Sequence, residues 1–327
     1  MLWLSRHRGP VVGINWRPRL IPSASPNFAE MFYWEAKRQG RKVVYWKRAK
    51  PDILLVISKT VHQELLDEYR RRGVPVVLRL DGVGIKDPSD PKKGNINYLT
   101  AQKANFIIYQ SGFCQRIWER LFSLNKPSRV IYNGADERIF SPEGERENFG
   151  FKRLIITSAR WRDWKNLAQM IEVFFALKRS DTGLVIIGDT REAGVEIPDH
   201  PQIITTGRLS HKKMARVFRS GDIFLYLPWY EWCPKVVVQA LVCGLPVVCS
   251  FNGGTRELVG DCGITVPGER DNEEPYFYPN PIKIEQAVEA VNALLEQGKK
   301  IPPRPDLYLS TMVKKYFEVF EKVLEDN

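Results

Sequence analysis

One carboxylate, Glu231, stands where a buried strand is expected to end and a helix to begin. From residue 227 the chain reads L-P-W-Y-E-W-C-P-K-V-V-V-Q-A-L-V-C-G-L-P-V-V-C-S-F-N-G-G. The apolar run 223–227 comes first, and Pro234 opens a helix to about Val242, since proline in a first turn gives up only an amide without a partner. Ligands of parallel sheets bind outside the carboxyl ends of strands, where helix N-termini present amides to anions. The stretch is organised like a site, although periodicity alone fits a plain crossover with a surface glutamate equally well.

Two cations, Arg160 and Lys165, follow the strand predicted at 154–158, on the loop S-A-R-W-R-D-W-K-N-L that opens a helix. Fixed positive groups at a strand end beside a helix N-terminus form a receptacle for a diphosphate, because they offset the charge on a departing phosphate. Two basic residues in a loop are also often only solvated. Anion binding by this loop is therefore a hypothesis from residue type and position.

Strand and helix patterns alternate along both halves of the chain. In the first half, strands are predicted at 11–15, 42–46, 52–58, 74–79, 106–110 and 129–132, and helices at 27–38, 61–72, 98–104 and 112–124. In the second half, strands are predicted at 154–158, 184–187, 203–206, 223–227, 247–251 and 264–266, and helices at 166–178, 212–219, 234–242, 283–296 and 307–324. This alternation is typical of parallel sheets with helices on both faces.

The predicted fold class is α/β, with two Rossmann-like, doubly wound parallel-sheet domains that face each other across a cleft. A chain of 327 residues suits two domains. The polar, aperiodic segment 141–150 is predicted to be the linker, which gives domains at 1–145 and 146–327. The last helix, 307–324, is a candidate to pack back on the first domain.

Charge is distributed unevenly between the halves. Residues 1–145 carry 25 Lys and Arg against 14 Asp and Glu, whereas residues 146–327 carry 24 against 24, so the first half holds the whole excess of +11. A positive field on one domain favours an anionic partner, with a merely solubilising surface as the alternative. Because no apolar run approaches the roughly 20 residues that span a bilayer and the N-terminus lacks an apolar signal core, a cytoplasmic protein is expected.

Three motifs resemble the retaining GT-B glycosyltransferases of the family-4 type. In the first, a glutamate, seven residues and a second glutamate precede G-x-P-V-V and a Gly-Gly turn; Glu231 matches the first glutamate, and Gln239 stands in place of the second. The pair Arg160 and Lys165 is similar to the family's G-R-x-x-x-x-K element. The run V-I-Y-N-G-A-D-E-R-I-F at 130–140 is close to V-I-x-N-G-V-D-x-x-x-F. The resemblance covers most of the chain.

The resemblance implies roles for these residues. Glu231 would lie near the donor sugar and the reacting centre, and Arg160 with Lys165 would bind the diphosphate. The second signature position contacts the nucleotide ribose, and the amide of Gln239 is a weaker acceptor there than a carboxylate. We therefore expect nucleotide binding to be weakened or altered but not lost.

Four further residues are implied in donor binding. The Gly-Gly turn of Gly253 and Gly254, with Thr255, would bring backbone amides to the phosphates or the sugar, because a residue without a side chain allows close approach. A Gly-Gly pair is more often only a turn. Arg208 lies in the segment that matches the family's base pocket.

Asp81 follows the strand V-V-L-R-L, where many relatives carry a histidine that faces the cleft. A carboxylate there would orient or deprotonate the acceptor hydroxyl, and a turn residue before Gly82 is the alternative. The loop Ser23–Asn27 stands where relatives often have a glycine-rich loop, and it lacks the Gly-Gly pair. Asn133 and the glycine after it are interpreted as a structural turn.

The resemblance implies transfer of a sugar from a UDP- or GDP-sugar to a hydroxyl group, with retention of anomeric configuration and without a metal ion or other cofactor. The second domain would hold the donor, and the first would hold a glycan or lipid-linked acceptor. The basic first domain suggests peripheral contact with an anionic membrane at its cytoplasmic face, with 45–48 as candidate contacts. Nucleic acid is not an expected partner, because no base-reading motif is visible.

Two alternatives stay open. One is a non-catalytic protein that binds sugar nucleotides, which Gln239 favours and which the intact Glu231, Arg160 and Lys165 disfavour. The other is a GT-B sugar-nucleotide epimerase, whose product would be an isomeric nucleotide-sugar and not a free nucleoside diphosphate.

Overall fold

The chain forms two compact units. The computed structural model describes residues 9–19, 23, 27–48, 50–57, 62–84, 89–270, 279–298 and 300–327. One unit consists of residues 1–133 and 309–327, and the other of residues 134–308. Most of the loop Ser23–Asn27 lies outside the described residues.

The first unit is built on one parallel six-stranded sheet with the strand order β2-β1-β3-β4-β5-β6. Its strands are β1 (Val12–Ile14), β2 (Val43–Tyr45), β3 (Ile53–Ile57), β4 (Val76–Leu80), β5 (Phe106–Tyr109) and β6 (Ser128–Val130). Its helices are α1 (Phe28–Arg38), α2 (Gln63–Arg71), α3 (Ile96–Lys103) and α4 (Gly112–Phe122). A further helix of this unit, α10 (Leu309–Glu325), follows the second unit in the chain. The central strands are continuous apolar runs because helices cover both faces of a parallel sheet.

Helix α10 packs on α1 through aromatic side chains. The ring of Phe32 stacks on that of Phe317 at 6.2 Å and meets Phe320 edge-on at 6.4 Å. Tyr316 contacts Phe32 at 5.3 Å, and all four residues belong to the core that includes strands β1 and β3. The last helix is therefore part of the first unit's core.

The second unit holds another parallel six-stranded sheet, with the order β12-β11-β10-β7-β8-β9. Its strands are β7 (Arg153–Ser158), β8 (Thr182–Ile187), β9 (Ile203–Gly207), β10 (Ile223–Tyr226), β11 (Val247–Ser250) and β12 (Gly263–Val266). Its helices are α5 (Leu167–Ala176), α6 (His211–Ser220), α7 (Lys235–Val242), α8 (Thr255–Val259) and α9 (Ile284–Gln297). The predicted α/β class with two doubly wound parallel sheets is confirmed; helix α8 was not predicted from the sequence.

The chain order reverses at the middle of this second sheet. Strand β7 is followed on one side by β8 and β9, and β10 lies on its other side, with Ile223 opposite Ile155 and Phe224 opposite Ile156. Such a switch point leaves room outside the carboxyl ends of the two strands, because their connections leave in opposite directions. The loops after β7 and β10 therefore emerge next to each other.

The units divide between Asn133 and Gly134, and not at residue 145. Arg219 of α6 is the physical reason. Its guanidinium donates hydrogen bonds to the carbonyl oxygens of Ile139, at 3.2 Å, and Glu145, at 2.8 Å. The segment expected to be a free linker is thus attached to the second unit.

The segment 45–48 does not present its tryptophan to a membrane. Trp46 is buried, and its ring stacks on Tyr69 at 6.4 Å with an interplanar angle of 13°. The hydroxyl of Tyr69 also donates a hydrogen bond to the Trp46 carbonyl oxygen. The expectation of an interfacial Trp46 is therefore wrong. Within the described ranges, the helices are all too short or too polar to cross a bilayer.

Candidate functional site

Lys165 and Glu231 meet at the carboxyl edge of the second sheet. Lys165 ends the loop that follows β7, and Glu231 lies on the turn between β10 and α7. The Lys165 ammonium and the Glu231 carboxylate form an ion pair, and their side chains are 15% and 14% exposed. The two residues are 66 positions apart in the chain, and the adjacency of β7 and β10 is what joins them.

Tyr226, the last residue of β10, touches both partners of this pair. Its hydroxyl accepts a hydrogen bond from Lys165 Nζ at 3.3 Å and donates one to Glu231 Oε1 at 3.0 Å. Lys165 Nζ also lies 5.9 Å from the centre of the Tyr226 ring. The sequence alone does not single out Tyr226, because an aromatic side chain at the end of an apolar strand has the pattern of a core residue.

The environment changes the ionisation of these groups. Burial lowers the pKa of Lys165 from 10.5 to about 8, because a low-dielectric environment disfavours the charged form. The negative charge of Glu231 alongside acts in the opposite direction. Burial raises the pKa of Tyr226 well above its usual value of 10.0, so its hydroxyl stays protonated and remains a donor.

Two hydrogen bonds to backbone carbonyl oxygens join the two loops to each other. The amide of Trp229 donates to the carbonyl oxygen of Trp164 at 2.9 Å. The side chain of Asn166, in the left-handed region with φ +58°, donates to the carbonyl oxygen of Leu227 at 3.0 Å. The turn that carries Glu231 is therefore attached directly to the residues on either side of Lys165.

Gly253 and Gly254 position the backbone of Glu231. Gly253 has φ +96°, and a Cβ atom there would lie 2.8 Å from the Glu231 nitrogen and still closer to its carbonyl oxygen. The amide of Gly254 donates to that same oxygen at 2.7 Å. The glycine pair thus supports the carboxylate, and the Gly254 amide is already used within the chain. Thr255 is buried at the start of α8, and its hydroxyl finds no hydrogen-bond partner among the described residues.

The other expected donor-binding residues lie around this edge of the sheet. Arg160 is exposed two residues beyond β7 and forms no ion pair with any part of the chain that the structure describes. Gln239 is buried in α7. Arg208 follows β9 and approaches Asp189 at 3.4 Å, which Arg191 also contacts at 2.5 Å. Lys165 thus contacts Glu231, whereas Arg208 belongs to a separate charged cluster with Asp189 and Arg191.

The sequence profile of the family described as glycosyl transferases group 1 matches residues 142–304, a range that contains Lys165, Glu231 and Gly253. Residues 142–304 belong to this glycosyltransferase family.

Curated relatives and solved structures agree with the family. The chain is 22% identical over 208 residues to N-acetyl-alpha-D-glucosaminyl L-malate synthase of Bacillus anthracis, which covers 58% of this chain and 54% of that protein. It is 32% identical over 84 residues to a GDP-mannose-dependent alpha-mannosyltransferase of Mycolicibacterium smegmatis, covering 26% of this chain and 22% of that protein. The chain thus spans about half the length of the first relative and less of the second.

The crystal structure of Anabaena HepE in complex with UDP-glucose matches the fold with a TM-score of 0.64 at 14% identity, over 96% of this chain and all of that chain. At this identity the likeness concerns the fold alone. The predicted GT-B fold class, with its two parallel sheets, is confirmed.

The first unit has a charged pair of its own. Asp81 directly follows β4, and its carboxylate pairs with Arg79, whose side chain is 3% exposed against 32% for Asp81. Gln110 donates a side-chain hydrogen bond to the Asp81 carbonyl oxygen. Before it could act as a base toward an acceptor, Asp81 would have to leave this ion pair. In this conformation the Asp81 carboxylate neutralises the buried guanidinium.

Arg79 is held from several sides. Its guanidinium donates to Asn133 Oδ1 at 2.8 Å and lies 3.8 Å from the centre of the Phe28 ring. Asn133 in turn donates to Gln110 Oε1 at 3.3 Å. The asparagine of the family-like V-I-x-N-G run therefore helps to fix a buried arginine, which accords with the structural reading of that turn. The sequence signal for Arg79 was a lone cation inside an apolar strand.

Metal ligation finds no support in the described ranges: no group of three or more His, Cys, Asp or Glu side chains there could hold a metal ion.

Proposed function

We propose that this chain transfers a sugar from a nucleoside-diphosphate sugar to a hydroxyl group, with retention of anomeric configuration and without a metal ion. The observation that carries the proposal is the pairing of Lys165 with Glu231 at the switch point of the second sheet. A cation for the diphosphate and a carboxylate for sugar hydroxyls are the two groups that such a donor needs side by side.

The proposed reaction proceeds on one face of the sugar. The bond between the anomeric carbon and the diphosphate oxygen breaks, and the diphosphate leaves with the electron pair. The acceptor oxygen bonds to the anomeric carbon from the same face, and its proton passes to the departing diphosphate. Lys165 stabilises the charge that grows on the leaving group, with Arg160 as the second cation on the same loop.

The remaining donor contacts are proposed by position. Gln239 accepts a hydrogen bond from a ribose hydroxyl, Gly253 and Thr255 line the sugar and phosphates, and Arg208 lies toward the base. The donor is a UDP- or GDP-sugar; the similar HepE structure is a complex with UDP-glucose, and the similar mannosyltransferase is GDP-mannose-dependent.

The acceptor is proposed to be a glycan or lipid-linked hydroxyl held by the first unit, with Asp81 orienting it. The excess charge of +11 on residues 1–145 supports contact with an anionic membrane at its cytoplasmic face. Exposed cations that could make this contact include Lys47, Arg71 and Lys92. Reversing these three charges should weaken binding to vesicles of phosphatidylglycerol and phosphatidylcholine, measured by sedimentation, and unchanged binding would contradict the membrane contact.

A protein that binds sugar nucleotides without transfer is the second candidate, and Gln239 is the observation that favours it. In the family pattern this position is a glutamate, and a neutral amide is a weaker acceptor for a ribose hydroxyl. Such a protein would bind the donor and release no nucleoside diphosphate.

Turnover distinguishes the two candidates. The wild-type protein is incubated with UDP- and GDP-sugars, and free nucleoside diphosphate is measured with and without glycan or lipid acceptors. For the transferase, Glu231→Gln should lower this release by at least about tenfold, whereas Gln239→Glu should change it far less. The control is Glu172→Gln, an exposed residue of α5. Binding without release would support the binding protein, an isomeric nucleotide-sugar would indicate an epimerase, and equal small effects of both variants would contradict the proposed site.

A further inference from the structure

Tyr226 carries a hydroxyl that the core does not require. The residue is 1% exposed, follows the apolar run 223–225 and lies opposite Cys249 of β11. Its ring stacks on Phe224 at 5.9 Å with an interplanar angle of 24°. A phenylalanine would fill the same space, so packing alone does not account for the oxygen atom.

Burying a hydroxyl destabilises a protein unless the group is hydrogen-bonded. In Tyr226 the desolvation is offset by two charged neighbours, since the hydroxyl donates to Glu231 and accepts from Lys165. A hydrogen bond to a charged group is stronger than one between neutral groups. Both hydrogen bonds of the hydroxyl are therefore made to the two members of this ion pair.

A diphosphate would compete with Glu231 for the Lys165 ammonium group, because both are anionic. An anionic ligand draws the ammonium group, and Glu231 then loses its partner of opposite charge. The Tyr226 hydroxyl keeps its own bond to Glu231 Oε1, because the strand β10 fixes the ring. The turn itself is fixed by the glycine pair, so the side chain is the part that needs a second support.

We propose that Tyr226 is a positioning residue that holds the Glu231 carboxylate at the donor sugar while Lys165 changes its partner from Glu231 to the diphosphate. The inference rests on the proposed transferase function and adds to it a residue outside the family motifs. Tyr226 touches neither sugar nor phosphate in this role and acts through Glu231. Because burial raises the pKa of Tyr226, the hydroxyl remains protonated, and therefore a donor, at neutral pH.

The test replaces only the oxygen atom. In Tyr226→Phe we expect kcat for nucleotide-sugar turnover to fall at least about tenfold, while the Kd for the nucleoside diphosphate alone stays within about threefold, since that ligand lacks the sugar that Glu231 serves. Tyr109→Phe is the matched control, because Tyr109 is also 1% exposed and also ends a strand, β5, but in the first unit. Thermal melting of each variant verifies folding.

A double-mutant cycle separates positioning from general support. If Tyr226 acts through Glu231, then Tyr226→Phe should have little further effect on kcat in a Glu231→Gln background, because effects through one shared group are not additive. Glu231→Asp serves as a second route if Tyr226→Phe fails to fold. It keeps the charge, withdraws the carboxylate from the hydroxyl and should lower kcat with the same unchanged diphosphate affinity.

The outcomes are distinct. Turnover of Tyr226→Phe within twofold of wild type, or full additivity in the cycle, would overturn the positioning role and leave the transferase proposal standing. A wild-type protein that releases no nucleoside diphosphate from any donor would overturn the transferase proposal, and this inference with it.

Discussion

Each unit places a cation and a carboxylate together at the carboxyl edge of its sheet, and the two pairs are built in opposite ways. In the first unit the cation, Arg79, belongs to strand β4 itself and is 3% exposed. In the second unit Lys165 and Glu231 lie on loops and are 15% and 14% exposed.

The two cations differ in how many fixed partners each has. Arg79 has four partners: a carboxylate, two amide side chains and an aromatic ring. A group with so many fixed partners stabilises one conformation. Lys165 is held by one carboxylate and one hydroxyl, so an anionic ligand can compete for it. We infer that Arg79 is structural and that Lys165 can exchange partners.

The largest effect is expected from Arg79→Ala, on stability. Removing the guanidinium takes a hydrogen-bond donor from the Asn133 and Gln110 amide oxygens and empties the space beside the Phe28 ring, and the loss is about 2–4 kcal/mol. We expect the urea-induced unfolding transition of the first unit to move to lower concentration by a corresponding amount. Arg71→Ala, at an exposed position of α2, should change stability by less than about 0.5 kcal/mol. A loss below about 1 kcal/mol for Arg79→Ala would remove the contrast between the two pairs.

Lys165→Ala should act on ligand binding. Loss of the ammonium removes a charge-assisted contact to the diphosphate, and we expect nucleoside diphosphate affinity to fall about 100-fold, which corresponds to about 2.7 kcal/mol. The measurement is the ligand-induced shift in melting temperature across a panel of nucleoside diphosphates and nucleotide-sugars. Lys213→Ala, exposed on α6 of the same unit, is the control. An unchanged shift in Lys165→Ala would mean that the second pair is structural as well.

Gly253→Ala sharpens the comparison by displacing the Glu231 backbone without touching charge. The added Cβ would overlap the Glu231 nitrogen and carbonyl oxygen, and we expect turnover to fall about tenfold. Gly260→Ala is the matched control, since Gly260 also has a positive φ, +46°, but open space around its Cβ position. Both variants bear the strain of a left-handed residue, so only Gly253→Ala should lose activity selectively. Equal turnover in the two variants would show that Gly253 does not position Glu231 for the reaction.

The smallest effect is a pH dependence confined to the second pair. With its pKa lowered to about 8, Lys165 is charged below that pH and loses its proton as the pH rises through it. Nucleoside diphosphate affinity should therefore fall several-fold between about pH 7 and pH 9. The titration is repeated with Lys165→Arg, which keeps its charge over this range and should show a flat profile. A wild-type profile as flat as that of the arginine variant would show that Lys165 does not titrate there.

The same shift affects stability with the opposite sign. The pKa of Lys165 is lower in the folded protein than in the unfolded chain, so the unfolded chain binds more protons between about pH 8 and 10.5. The contribution of this lysine to stability therefore rises with pH across that window.

Much of the fold could be predicted from the sequence, because few chain topologies are compatible with apolar strands that alternate with amphipathic helices. Placing Lys165 and Glu231 at strand ends required only that alternation and the family-like motifs. Their direct pairing depends on the strand order β10-β7, which reverses the chain order and is not local information.

The features that the sequence did not predict have a common physical cause. Tyr226 and Arg79 each look like ordinary strand residues, and their roles come from partners far away in the chain, such as Asn133, which lies 54 positions from Arg79. Gly253 reads as a turn, and only its distance to Glu231 explains why a side chain is excluded. The boundary at residue 145 was displaced for the same reason, since Arg219 holds that segment from 74 residues away.

Because helix α10 is synthesised last, the core of the first unit is completed only after the whole second unit has been made. A ribosome synthesises all of residues 134–308 before it makes Leu309–Glu325, although that helix belongs to the core of the unit that was begun first. At roughly 5–20 residues per second, the second unit can fold while the first still lacks one wall of its core. During translation, the aromatic side chains of α1 therefore stay uncovered for roughly tens of seconds, until α10 is synthesised.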